Sequence, residues 1–265
     1  MSNNSILPQL PSKIQHFCFR SPCNRQTSFQ KSSNMATQAE KSQLRIVPAD
    51  IKQQHKEAYD IIAEKYNAWT TQYDHRRLSN LAELYVKVPE LATSEGSVRV
   101  LELGCGSGFP VMDKLLADNP NLTAIANDMS SKQLDLSQQN LAPYAPRVEF
   151  APGDMANLTF PPDSLDAVIA LYSLLHLPLD EQATMIAKIQ KWLRPGGCLL
   201  ANFPKDDVAW KVWDLWLDEG IAIWHTGLGV EGTVKMVTEK GLEVEKAEVE
   251  GDGTQIFLWV IARKK

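Results

Sequence analysis

The chain has 265 residues, 44 % of them hydrophobic, enough to bury the core of one globular domain with extensions, or of two domains at most. Its formal net charge of −5 lacks the basic excess of a nucleic-acid footprint. The four cysteines, Cys18, Cys23, Cys105 and Cys198, have none of the paired spacing of a zinc site or disulfide framework, and no apolar run is long enough to span a bilayer.

The first stretch, to about Ala39, holds Lys13, Arg20, Arg25 and Lys31 but no acid before Glu40, and it is rich in Ser, Asn, Gln and Pro. Two readings fit. One is a disordered tail ahead of a second start at Met35, which goes with a cytoplasmic protein. The other is a basic, serine-rich, acid-poor transit peptide, which goes with a mitochondrial one, although Pro8, Pro11 and Pro22 interrupt any long amphipathic helix. Residues 1–45 are therefore set apart as an extension and 46–265 as the folded domain.

From Pro48 the pattern is helical. Ile51, Ala58, Ile62, Tyr66, Trp69 and Tyr73 recur at three, four or seven residues, and a second helix is expected over Arg77 to Leu91. Residues 46–95 thus read as a helical cap. Strands are expected at 98–103, 122–127, 147–151, 165–171 and 198–203. Helices are expected from Pro110 to Asp118, near 131–141 and over 179–193, where "RPGG" ends the last. Alternation of this kind predicts an α/β fold, a mainly parallel sheet with helices on both faces. "LEVEKAEVE", "GDG" and "TQIFLWVIARKK" then read as a hairpin that adds an antiparallel last strand and brings the count to seven.

The informative stretch is "VRVLELGCGSGFP" at 98–110. Gly104, Gly106 and Gly108 free the backbone to turn sharply at the carboxyl end of the first strand, where ligands bind in open α/β sheets. The helix behind points its N–H groups at that place. A dinucleotide fingerprint G-x-G-x-x-G counted from Gly104 needs a glycine where Phe109 stands, and a P-loop needs G-K-[ST], which is absent. Nicotinamide and nucleoside-triphosphate readings both fall.

"VLELGCGSG" instead resembles motif I, E/D-x-G-x-G-x-G, of the class I S-adenosylmethionine-dependent methyltransferases, and three further elements follow in order: "AIANDMS" at 124–130, "FAPGDMANLTFPPDSLDAV" and "LRPGG" at 193–197. The resemblance covers roughly residues 98–203 and implies a Rossmann-like fold with S-adenosylmethionine as cofactor. It places Glu102 toward the methionine ammonium, Gly104, Cys105 and Gly106 at the bend, and Asp128 with Met129 at the ribose. Asp154 with Met155 falls beside the adenine, Leu171 and Tyr172 near the adenine or the methionine arm, and Tyr66 on a helix that folds over the donor. Capping or turn roles are the alternatives for Asp128 and Asp154, and core packing for Tyr66. Asp166 reads as a structural acid.

For proton removal from an acceptor, His176 in "YSLLHLP" ranks first, His225 in "IAIWHTG" second and His75 in "YDHRR" third, with a packed or solvated histidine the alternative for each. Residues 205–238 read as a lid-like insertion. Trp210, Trp213 and Trp216 at three-residue spacing suggest a packed helix face, and with Trp224 they form an aromatic wall suited to a small apolar or aromatic metabolite. The nucleic-acid amino-methyltransferase motif N/D-P-P-Y/F is replaced by "ALYSLL". The expected partner is thus a small-molecule acceptor, without nucleic acid, membrane span or metal. A quinone C-methyltransferase is the near rival, and a protein that binds the sulfonium without transferring methyl the distant one.

Overall fold

The computed structural model describes residues 49–94, 96–214, 216–253 and 255–265; the expected extension over 1–45 lies outside them, as does the side chain of Trp213. Helix α1 runs Ile51–Thr70 and α2 Asp74–Lys87. The alternating part follows as β1 Val98–Leu103, α3 Val111–Asp118, β2 Leu122–Asp128, α4 Ser131–Asn140, β3 Val148–Pro152, β4 Leu165–Ala170, α5 Leu179–Trp192 and β5 Leu193–Pro204. The chain ends with β6 Asp207–Asp214, β7 Ala222–Leu228, α6 Gly229–Glu239, β8 Leu242–Asp252 and β9 Gln255–Lys264.

Seven strands form one sheet in the order β3-β2-β1-β4-β5-β9-β8. Strands β1 to β5 are parallel, and β9 is antiparallel to both of its neighbours. The pleat sorts side chains by alternate residues. Val98 and Val100 of β1, Ala167 and Ile169 of β4, and Trp259 and Ile261 of β9 pack beneath α2 and α3. Leu101 and Leu103, Val168 and Ala170, and Leu258 and Val260 pack beneath α5 and α6. Both faces are covered, so the central runs Val100–Leu101, Ala167–Ala170 and Leu258–Ala262 are apolar on both sides.

The last strand lies second from the edge because its run Leu258–Ala262 is fully buried, whereas β8 carries Glu243, Glu245, Glu248 and Glu250. Apolar residues gain from the inside position, and charge on an edge strand discourages pairing with other chains. Lys246 of β8 turns inward to Glu83 (2.6 Å) and Asn80 (2.9 Å) of α2 and to Glu250 (2.7 Å).

The tryptophan-rich segment departs from the expected helix face. Residues 207–214 are strand β6, paired antiparallel with β7, and Trp210 meets Trp224 across the ribbon with ring centroids 6.1 Å apart. Alternating valine and aromatic residues favour a pleated ribbon over a helix. The helix in this region, α6, buries Met236 and Val237 in the domain core. Ala58 and Ile62 of α1 pack against Ile221 and Ile223 of the ribbon. Helix α1 is thereby held across the carboxyl ends of the strands.

Candidate active site

The strand order reverses between β1 and β4, which opens a crevice at their carboxyl ends. The glycine bend lies there. Gly104 has φ +70°, and a Cβ on it would fall 2.5 Å from the Cβ of Ser173, in the loop after β4. The missing side chain at 104 is therefore demanded by the protein's own packing as well as by the backbone turn. At Gly106, φ +56°, a Cβ would meet only the Gln133 amide oxygen, at 3.7 Å. The bend is fastened to the end of β2: Cys105 N–H donates to Asn127 O (2.8 Å) and Gly106 N–H to Asp128 Oδ2 (2.9 Å).

One cavity gathers most of the expected residues: Tyr66, Gly104, Gly106, Asp128, Met129, Asp154, Met155, Leu171 and His176 all line it. Asp128 Oδ1 accepts from Ser130 N–H at 2.8 Å, while Ser130, not Asp128, caps α4 through Gln133 N–H. Burial pushes the Asp128 carboxyl up to about 6, with the charge of Asp60 adding and the backbone N–H groups opposing. Asp154 is already engaged. Its Oδ1 accepts from Ala156 N–H (2.9 Å) and its Oδ2 from Lys52 (2.7 Å), which also pairs with Glu181. The turn role considered for Asp154 is thus real, and any adenine contact would share an occupied oxygen.

Glu102 and Cys105 occupy a small adjoining recess, with Tyr66 and Arg77. Burial pushes Glu102 up to about 8; Asp128 adds to this and Arg77 opposes it. The Cys105 thiol is pushed well up by burial, so it stays a neutral loop residue. Arg77 is buried, 3.2 Å from Asp74 Oδ1, with its guanidinium 5.1 Å from the Tyr172 ring centroid.

Three buried polar atoms beside the bend lack a hydrogen-bond partner among the described residues: Glu102 Oε2, Gln133 Nε2 and Ser173 Oγ. Each costs about 1–3 kcal/mol if left unsatisfied. A polar ligand in the crevice relieves them. The residues present fit S-adenosylmethionine: Glu102 matches an ammonium, Arg77 a carboxylate, Asp128 vicinal hydroxyls, and Met129, Met155 and Leu171 an apolar ring.

The three histidines separate. His176 lies in the wall shared with a second cavity, which also has Tyr59, Tyr66, Tyr172, Trp69, Trp216 and Phe257 in its lining. His225 lines that second cavity alone. His75 is exposed, bonded to Gln72 O, and outside both. Missed from the sequence were Lys52, His55 and Tyr59 of α1, and Arg77, Gln133 and Ser173. A signal existed for the first three: with Tyr66 they sit three, four and seven residues apart, a polar stripe beside the apolar one.

Residues 100–197 match the family model described as "Methyltransferase domain". Among curated relatives, a tRNA N(3)-cytidine methyltransferase of Gallus gallus is 33 % identical over 122 residues, 44 % of this chain and 33 % of that one. Three further relatives of the same description, from Mus musculus, Bos taurus and Homo sapiens, are matched over about a third of their own length. In structure, a complex titled "DhpI-SAH" superposes with TM-score 0.62 at 19 % identity, covering 82 % of this chain and 98 % of that one. The [4+2]-cyclase SpnF gives 0.61 at 21 %, with the same coverage. The tRNA-modifying relatives overturn the expectation that nucleic acid is excluded as a partner. Whole-chain charge and one absent subclass motif are too coarse a guide, because net charge averages over the surface and the motif marks only one subclass. The fold, the glycine bend and the family match agree: residues 100–197 match a methyltransferase domain, and the chain has the Rossmann-like fold of class I S-adenosylmethionine-dependent methyltransferases.

Proposed function

We propose that this chain transfers the methyl group of S-adenosylmethionine, held in the first cavity, to an acceptor held in the second. The observation that carries the reading is the set of buried polar atoms without a partner among the described residues, Glu102 Oε2, Gln133 Nε2 and Ser173 Oγ, around a bend bonded to Asp128. The cofactor supplies an electrophilic methyl group. The chain's own residues bind, orient and exclude water, so proximity provides much of the acceleration. Glu102 and Arg77 hold the amino-acid end and Asp128 the ribose hydroxyls. The shared wall of Tyr59, Tyr66, Tyr172 and His176 brings the two ligands together.

A small apolar or aromatic metabolite is the acceptor that the ring-lined wall supports; the tRNA relatives support a nucleic-acid base. The test has two parts. Calorimetry with S-adenosylhomocysteine should show affinity falling at least about tenfold in Asp128→Ala, since hydrogen bonds to a charged group contribute about 1.5–3 kcal/mol each. Labelled donor is then offered to a metabolite pool and to RNA. Unchanged affinity in the variant removes the ribose assignment, and label retained in the donor with both pools removes methyl transfer.

A further inference from the structure

The polar end of the second cavity has a fixed hydrogen-bond polarity. His176 Nδ1 lies 2.7 Å from Trp224 O. A carbonyl only accepts, so Nδ1 carries the proton. Burial pulls the imidazole down to about 4, so the ring is neutral at pH 7 and Nε2 is a bare lone pair. Tyr59 Oη, 3.0 Å away, therefore donates its proton to Nε2. The same β7 residue fixes the neighbouring ring: Trp224 N–H donates to His55 Nε2 at 2.9 Å, and the His55 and His176 centroids are 4.8 Å apart.

With its one proton committed to His176, Tyr59 can offer a ligand only oxygen lone pairs. Around Tyr59 the cavity is flanked by rings, while Lys205, Asp206, His225 and Gln255 stand elsewhere in its lining. Tyr59 meets Tyr66 edge-on at 5.2 Å, Trp69 meets Trp216 at 4.8 Å, and Tyr172 meets Phe257 at 5.1 Å. We propose that the second cavity takes a planar aromatic or heteroaromatic ring bearing an O–H or N–H, and that Tyr59 Oη, held by His176 and Trp224, selects that donor. This deepens the acceptor assignment and rests on the two-cavity reading above.

The test titrates the full chain, with and without S-adenosylhomocysteine, against 2-naphthol, 2-methoxynaphthalene, decahydro-2-naphthol and cytidine 5′-monophosphate, by calorimetry and tryptophan fluorescence. One neutral hydrogen bond corresponds to about three- to tenfold in affinity. The expected result is 2-naphthol binding tighter than 2-methoxynaphthalene by that factor and tighter still than the saturated decahydro-2-naphthol. Tyr59→Phe should shrink the donor preference to within about twofold. His176→Phe frees the Tyr59 proton to turn toward the ligand, so 2-methoxynaphthalene should gain on 2-naphthol, which a merely structural histidine would not produce. Tighter binding of the cytidine nucleotide than of 2-naphthol supports the same ring chemistry and assigns its source to a nucleotide; the reverse assigns it to a free metabolite. Equal binding of the naphthol and its methyl ether, a saturated ring preferred to the flat one, or no binding of any ring overturns the proposal. Failure to bind S-adenosylhomocysteine sinks the cofactor reading instead.

Discussion

Glu102 makes the cofactor assignment quantitative. Its carboxyl is fully buried, sits at about 8, and has one oxygen without a partner among the described residues. At pH 7 it is mostly protonated, yet an ammonium is held best by the carboxylate. Ligand binding must therefore expel the proton. The amino group of S-adenosylhomocysteine, a free α-amino acid, keeps its proton to higher pH than a peptide terminus at about 7.7–8.0, so the productive pair is carboxylate plus ammonium, and affinity follows the product of the two fractions. From pH 6 to pH 8 that product rises about fiftyfold, as the ionised fraction of Glu102 goes from about 1 % to about half, and it falls only where the ammonium loses its proton above pH 8. Calorimetry with S-adenosylhomocysteine reads the affinity, and repeating it in buffers of different ionisation enthalpy reads the proton, with about one released at pH 7. Asp128, at about 6, adds roughly twofold over the same range. Glu102→Gln should abolish the large rise and leave only that small one. A flat wild-type profile, or a variant that rises as steeply as the wild type, would refute the contact between Glu102 and the ammonium.

Stability of the ligand-free protein should move the opposite way. The folded pKa of Glu102 is raised above the ordinary value, so its contribution is fully present below about pH 4.5 and is lost as pH rises through about 8. Melting temperature should fall between pH 5 and 8, and less steeply in Glu102→Gln. Gly104→Ala should lower the urea midpoint by an amount corresponding to more than about 2 kcal/mol, from a left-handed non-glycine residue plus the contact with Ser173 Cβ; an unchanged midpoint would disprove that packing demand. Lys52 ties α1 to Asp154 and Glu181 with all three side chains partly buried. Pairs of this kind contribute up to about 1 kcal/mol, so Lys52→Met should speed S-adenosylhomocysteine dissociation by about threefold in stopped-flow fluorescence, and high salt should shrink that difference.

Much of this protein is local in origin and was legible residue by residue. The β1 run, its glycine bend, the alternation that dictates a parallel sheet and the apolar tail hairpin all follow from short-range pattern. Side-chain period and backbone sterics act over a few residues, so sequence alone carries them. The tryptophan segment was misjudged because three-residue spacing also fits a strand whose partner, β7, lies beyond a turn; only pairing decides. Chain-wide charge likewise could not exclude a nucleic-acid partner, since net charge averages over the whole surface and reports no local site. Tertiary structure alone brought Tyr59 of α1, His176 after β4 and Trp224 of β7 into one hydrogen-bonded series, separated by more than a hundred residues between the first two. It also placed Arg77 beside Glu102 and tied Asp154 to Lys52. The polarity of a buried hydrogen bond depends on which partner the fold presents to each atom, and no spacing in the chain encodes that.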